Sequence, residues 1–322
     1  MYFANLLYFP PEKSIMTLAR PKGGFPMNYK TAKGYLFAVL SAVIYGSMPL
    51  MAKYIYADGV TPMTLVFLRN LFAIVPLALL AYRQKKTLKV PKELLPSIGL
   101  ISLFGCCITP TLLFSSYQFI ASGTATVIHF SYPAMVVIAQ ILFLKKKVMP
   151  ASIVSVVLCV LGVSLFYSPQ ETLNFTGSAL ALLSGVTFAT YVILLSRFDS
   201  SKVSGFLFGF YVTVVSTVAA FIICLVSGNL VFPVSPLGWG LCIVFSLMVT
   251  VGAVVLFQQS TFLIGGERAS ILSTLEPITS LVIGVIVFRE ALSSNSLIGS
   301  ALVVAASILT ALADIRKNKK EA

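Results

Sequence analysis

The sequence predicts an all-α polytopic membrane protein, with ten transmembrane helices arranged as two inverted five-helix repeats. Composition, block length and charge placement predict it. Of the 322 residues, 58% are hydrophobic and only 10% are charged, with a mean hydropathy of +0.96. Soluble domains run near 45–50% apolar and about 25% charged. The apolar residues fall in blocks of about 20, the helix length that crosses ~30 Å of hydrocarbon. The blocks are continuous rather than alternating. Helices, not a closed β-barrel, therefore satisfy the backbone inside the bilayer.

The blocks place spans at roughly 34–56, 61–82, 95–119, 123–144, 149–168, 177–196, 205–227, 238–263, 267–288 and 294–313. Two long apolar runs need division. As one helix, the run from Leu94 to Leu144 would be ~75 Å long, far more than a bilayer. It is expected to turn near Ser122-Gly123, and the run from Leu237 to Phe288 to turn at Gly265-Gly266.

Charge fixes the count and orientation. The net charge of +13 is carried by short basic clusters between the apolar blocks. These are Lys13 to Lys33 before span one, Arg83 to Lys92 after span two and Lys145 to Lys147 after span four. Arg197 and Lys202 follow span six, Arg268 follows span eight, and Arg316 to Lys320 follow span ten. With ten spans, all of them share one face. The exceptions are Lys53 at a span end, Arg69 inside span two and Arg289. The positive-inside rule then expects both termini in the cytoplasm, in the cytoplasmic membrane. The same placement argues against a nucleic-acid partner. Trp239, the only tryptophan, falls at the outer end of span eight, where aromatic anchors belong.

The ends and the cysteines add little. The first 26 residues make a poor signal peptide, because Pro10-Pro11 ends a short apolar run that precedes the positive charges. Residues 1–32 are expected to be a disordered cytosolic tail, with translation from Met27 as the other reading. Residues 314–322 form a basic cytosolic tail. Cys106, Cys107, Cys159, Cys224 and Cys242 all fall within spans without metal-ligand spacing. They are expected to be packing residues, and no metal or cofactor is expected.

The two halves resemble each other. "GYLFAVLSAVIYG" from Gly34 aligns with "GSALALLSGVTFA" from Gly177, and "TATVIHFSYPAMVV" from Thr124 with "RASILSTLEPITSL" from Arg268. The second alignment pairs Pro133 with Pro277 and Tyr132 with Glu276. Each half, 33–168 and 176–313, holds five spans. An odd number makes the second half enter from the opposite face, a construction found in many secondary transporters.

With "FLRNLFA" at 67–73, the prolines of spans four and nine, and "LEPITSLVIGVIVFREAL" followed by "LIGSALVVAASIL", the chain resembles the drug/metabolite transporter superfamily of EamA type. The resemblance implies movement of small metabolites, often amino acids or related compounds and often outward, through a central cavity between the repeats. It also implies an acid closing spans four and nine. Glu290 fits that place, but the first half has Lys146.

Several residues could carry such work. Glu276 lies ~14 Å into its span, and an acid at that depth costs roughly 2.5–3.5 kcal/mol on insertion scales. It is expected to face the bundle interior, as a substrate-amine contact, a proton site or a fixed ion pair. Pro277 and Pro133 free the carbonyls of Ser273 and His129 near mid-membrane, where irregular backbone lines a cavity or is buried in protein. His129, the only histidine, is either a proton relay or a hydrogen-bonded interior group. Its near neighbour Tyr132 takes the place that Glu276 has in the other half. Arg69, ~12 Å into span two, either pairs with Glu276, binds an anionic group or is architectural. Tyr45, Gln118, Gln258 and Gln259 either line the cavity or bond between helices. The expected partners are a small-molecule substrate, the lipid bilayer and protons as a coupling ion. There is no GxxxxGK[ST] loop for ATP, and no nucleophile–base set for an enzyme. A facilitative channel or uniporter, or a lipid flippase of the same fold, is the alternative.

Overall fold

The computed structural model describes residues 29–85, 88–120, 122–142, 148–165, 174–288 and 294–320. The described residues are helical almost throughout, with no strand among them, and follow the ten expected spans. Among the described residues, seven helices are long and apolar enough to cross a membrane, while Pro150–Ser164 and Leu297–Thr310 are apolar but shorter. Span nine, Gly266–Ser273 and Glu276–Phe288, is divided by Thr274 and Leu275. The first 28 residues, Lys145 to Lys147, Arg289 and Glu290 lie outside the described residues.

Spans one, three and eight depart from a straight α-helix. Span one, expected as one helix, is Tyr29–Gly46 followed by Met48–Ala57. Pro49 has no N–H for the carbonyl of Tyr45, and Ser47 turns the chain by donating its hydroxyl to Ile44 O at 2.7 Å. Span three runs Leu95–Ser102 and Thr109–Ser116, joined by a π-helical stretch at Leu103–Ile108. Span eight repeats this form, with a π-helical stretch at Ser246–Val254. Such widened turns are rare and gather at functional sites. Here they occupy matching places in the two repeats.

The hairpins also match. Gly265, at φ +83°, turns span eight directly into span nine in a conformation that glycine adopts without strain. The first hairpin turns at Tyr117–Phe119, earlier than Ser122-Gly123, because Gln118, Phe119 and Ile120 donate back to the carbonyls of Ser115 and Ser116.

Packing expresses the repeat. Span two packs along span seven, and span five along span ten. Span one packs on span eight, and span three on span six. A two-fold rotation that exchanges the repeats preserves the first two pairings and interchanges the other two. A Cβ added at Gly34 would lie 2.9 Å from Leu263 Cβ, and one at Gly177 would lie 2.8 Å from Phe119 Cβ. Those leucine and phenylalanine positions correspond as well. The residue pairs aligned by sequence therefore make the same close helix–helix approach in each half.

Candidate functional site

The prolines of spans four and nine break their helices outright. Span four is Ser122–His129 and Tyr132–Leu142, and span nine divides at the matching residues. Ser131 N–H turns back to Ile128 O at 3.2 Å, and Leu275 N–H to Leu272 O at 3.1 Å. A new helix then starts at Tyr132 in one repeat and at Glu276 in the other. Helix N-termini carry partial positive charge, and Glu276 is the first residue of the second half of span nine.

His129 closes the first half of span four and is buried. Its Nδ1 lies 2.8 Å from Ser184 Oγ on span six. The Ser184 hydroxyl already donates to Ala181 O at 2.6 Å, so Nδ1 is the donor to Ser184. Gly185 leaves room for the His129 carbonyl, which a Cβ there would meet at 3.0 Å. Tyr132 is fully buried. Its hydroxyl meets Ser273 Oγ across the bundle, and Ser273 in turn donates to the Ala269 or Ser270 carbonyl at 3.1 or 3.0 Å. Tyr132 is therefore the donor in that contact. Its ring stands edge-on to Phe188 at 4.7 Å. Phe188 continues to Tyr191 and Phe257 at 5.3 and 5.6 Å. Gln258 is fully buried, with its amide beside Tyr191.

Glu276 is half-buried. Among the described residues, nothing forms a hydrogen bond or ion pair with its carboxyl. Tyr45, Tyr117 and Tyr132 stand within electrostatic reach of it, and Pro277 beside it is buried. Tyr45 also faces Arg69 and Cys106. It therefore stands within electrostatic reach of both the acid of span nine and the base of span two.

Arg69 is 3% exposed and pairs with no carboxylate among the described residues. Its Nη2 donates to Cys106 O at 3.3 Å, and Asn70 Nδ2 donates to the same carbonyl at 3.2 Å. Cys106 precedes Pro110 by four residues, so proline has removed that carbonyl's helical donor. A buried carbonyl without a partner costs about 1–3 kcal/mol, and Arg69 with Asn70 fills the gap. Arg69 Nε has no partner among the described residues. Ser246, in the second π-helical stretch, donates to Arg69 O at 2.5 Å.

The structure thus gathers Tyr45, Arg69, His129, Tyr132, Pro133, Gln258, Glu276 and Pro277 around the break points. Gln118 is apart from them, exposed on the turn after span three. Ser184, Phe188, Tyr191 and Phe257 belong to the same cluster and were not singled out by sequence, and Ser273 was named there only for its carbonyl. Ser184 had a signal, since it aligns with Ser41 in the repeat.

One feature breaks the two-fold symmetry. On the face carrying the basic loops, Gly266–Ser273 of span nine packs against Tyr132–Leu142 of span four and also touches spans five and ten. The symmetry-related halves, Ser122–His129 and Glu276–Phe288, share no comparable packing among the described residues. Each instead packs on its other neighbour, span six or span one. Among the described residues the crossing is packed on the basic face and has no comparable packing on the other.

Comparison with known proteins agrees with this architecture. The model of the EamA-like transporter family matches twice, over residues 32–168 and 175–312. An uncharacterized transporter of Clostridium kluyveri is 21% identical over 289 residues, covering 86% of this chain and 92% of its own length. The uncharacterized inner membrane transporter YicL of Salmonella typhimurium is 24% identical over 318 residues, covering 91% of this chain and 99% of its own. A solved crystal structure superposes with a TM-score of 0.72 at 18% identity, over 88% of this chain and 98% of the other, which shows a shared fold. Two family matches that together take in all ten spans make this chain a multi-pass membrane transporter, and it belongs to the EamA-like transporter family.

Proposed function

We propose that the chain is a secondary active transporter that exports a small metabolite, an amino acid, a related compound or a drug-like molecule, across the cytoplasmic membrane by alternating access. The basic loops and both termini face the cytoplasm. The carrying observation is the crossing of spans four and nine, packed on the basic half and without comparable packing on the other among the described residues. A site at mid-membrane between inverted repeats, closed to one side and approached from the other, suits a carrier whose repeats rock about it. Glu276 is the charged contact, for a cationic group of the cargo or for a proton.

The test begins with untargeted metabolite profiling of cells and medium, with and without the protein. The metabolite found is then followed in proteoliposomes. A carrier gives saturable flux with counterflow, whereas a channel gives neither. Glu276→Gln is expected to abolish pH-dependent uptake. Retention of full pH-dependent uptake by that variant would remove Glu276 from proton coupling.

A further inference from the structure

We propose that Glu276 and His129 form the clasp that closes the other half of the span four–nine crossing when the carrier faces the opposite way. It would be the counterpart of the Tyr132–Ser273 contact that closes the basic half here. This rests on the alternating-access reading. One fixed sequence offset relates Pro133 to Pro277, Tyr132 to Glu276 and His129 to Ser273. In the closed half, the Tyr132 hydroxyl of span four reaches Ser273 of span nine. If the repeats exchange conformations, the partner of Tyr132 becomes the partner of Glu276 with the spans reversed. That partner is His129.

The chemistry of the two groups fits. An ionised carboxylate accepts only, and an imidazolium donates from both nitrogens. A bond between them would be charge-assisted, roughly twice as strong as a neutral one. Neither group is committed to another charge here. His129 Nδ1 is held by a neutral serine, and the Glu276 carboxyl has no hydrogen bond or ion pair among the described residues. Tyr45 of span one, Tyr117 of span three and Tyr132 of span four stand within electrostatic reach of Glu276, and the rings of Phe130, Tyr132 and Phe188 surround His129. One step further out, Arg69 of span two, Cys106 of span three and Tyr191 of span six are within reach of Tyr45, and Cys159 of span five of Tyr132. Arg69 is the fixed cation among these, and it is engaged with Cys106 O. His129 is the single histidine of the chain. It is thus the protein's own proton-dependent cation for Glu276. A cationic cargo and protonated His129 would then compete for one carboxylate. The clasp would let the empty carrier return with that charge neutralised.

The test uses full-length protein in proteoliposomes, with the five cysteines replaced and Ser131→Cys as a reporter for a membrane-impermeant maleimide. Glu276→His beside native His129 creates a pair that Ni²⁺ can bridge. Nickel is expected to reduce labelling from the face opposite the basic loops by about fivefold or more, the size of a modest coupling between sites. His129→Gln is expected to abolish the effect. Nickel changing nothing beyond that control, or increasing labelling from that face, overturns the proposal. The second arm needs no metal. His129→Gln, Glu276→Gln and the double variant are expected to shift the two-sided labelling ratio equally, and additive shifts overturn the clasp. A reporter labelled from one side only under every condition, in protein carrying neither substitution, removes alternating access itself and the clasp with it.

Discussion

The carboxylate of Asp58 accepts the backbone N–H of Ser235 at 3.1 Å, tying the turn after span one to the start of span eight. Ser235 caps that helix with its own oxygen, accepting Gly238 N–H at 3.0 Å. Lys202 holds the matching place in the second repeat and pairs with Glu93, at the start of span three, at 2.9 Å. A loop-to-loop clasp therefore stands at each end of the span two–seven pair. One is an acid on a backbone donor, the other an exposed ion pair.

The Ser235 N–H and hydroxyl hold the Asp58 carboxyl below its ordinary pKa. A depressed carboxylate contributes stability above its unfolded value and loses it as pH falls through the folded one. Asp58→Ala should therefore lower the melting temperature at neutral pH, and the gap should shrink below about pH 4. An equal gap in acid would show that the carboxylate charge is not what holds the turn.

Glu93 raises the pKa of Lys202. A raised lysine contributes below its unfolded value, so the pair is intact throughout the physiological range. Its side chains are 48% and 66% exposed, so Lys202→Ala should lower the melting temperature little, if at all. Thermal melts with and without added salt check this. A loss that survives high salt would contradict a screened surface pair.

Gly34→Ala and Gly177→Ala should each destabilise by about 1–3 kcal/mol, because each places a methyl against a neighbouring helix that sits too close for it. The repeat predicts similar losses at both. Unfolding of the purified variants in denaturant would measure them, and one neutral substitution would show that the two approaches are not equivalent.

Arg69→Ala and Asn70→Ala each leave Cys106 O one donor. The double variant leaves it none. The double loss should therefore exceed the sum of the single losses by about 1–3 kcal/mol. A double-mutant cycle in thermal stability reads this directly, and simple additivity would break the link between the two donors.

The spans, the alignment of the two halves and the break points of spans four and nine were legible because each follows from local chemistry. Apolar blocks of bilayer length must be helical in lipid, and Pro133 and Pro277 remove N–H groups wherever they stand. Pro49 and Pro110 carried the same signal. What Pro110 does appears only when Arg69 and Asn70 arrive at the carbonyl it frees. The sequence left Arg69 between a salt bridge, an anion contact and architecture. Its bond to Cys106 O is an architectural contact, and it makes no ion pair with Glu276 among the described residues.

The sequence by itself determined that this chain is a ten-span membrane bundle with a doubled plan, because hydrophobic length, charge side and proline position act within one segment at a time. Only the tertiary structure decided that Tyr132 reaches Ser273 and that His129 rests on Ser184. It alone decided that the crossing is shut on the basic half. Those contacts join residues far apart in the chain. Which half of a near-symmetric bundle is packed depends on the relative position of whole helices, and no single segment carries that information.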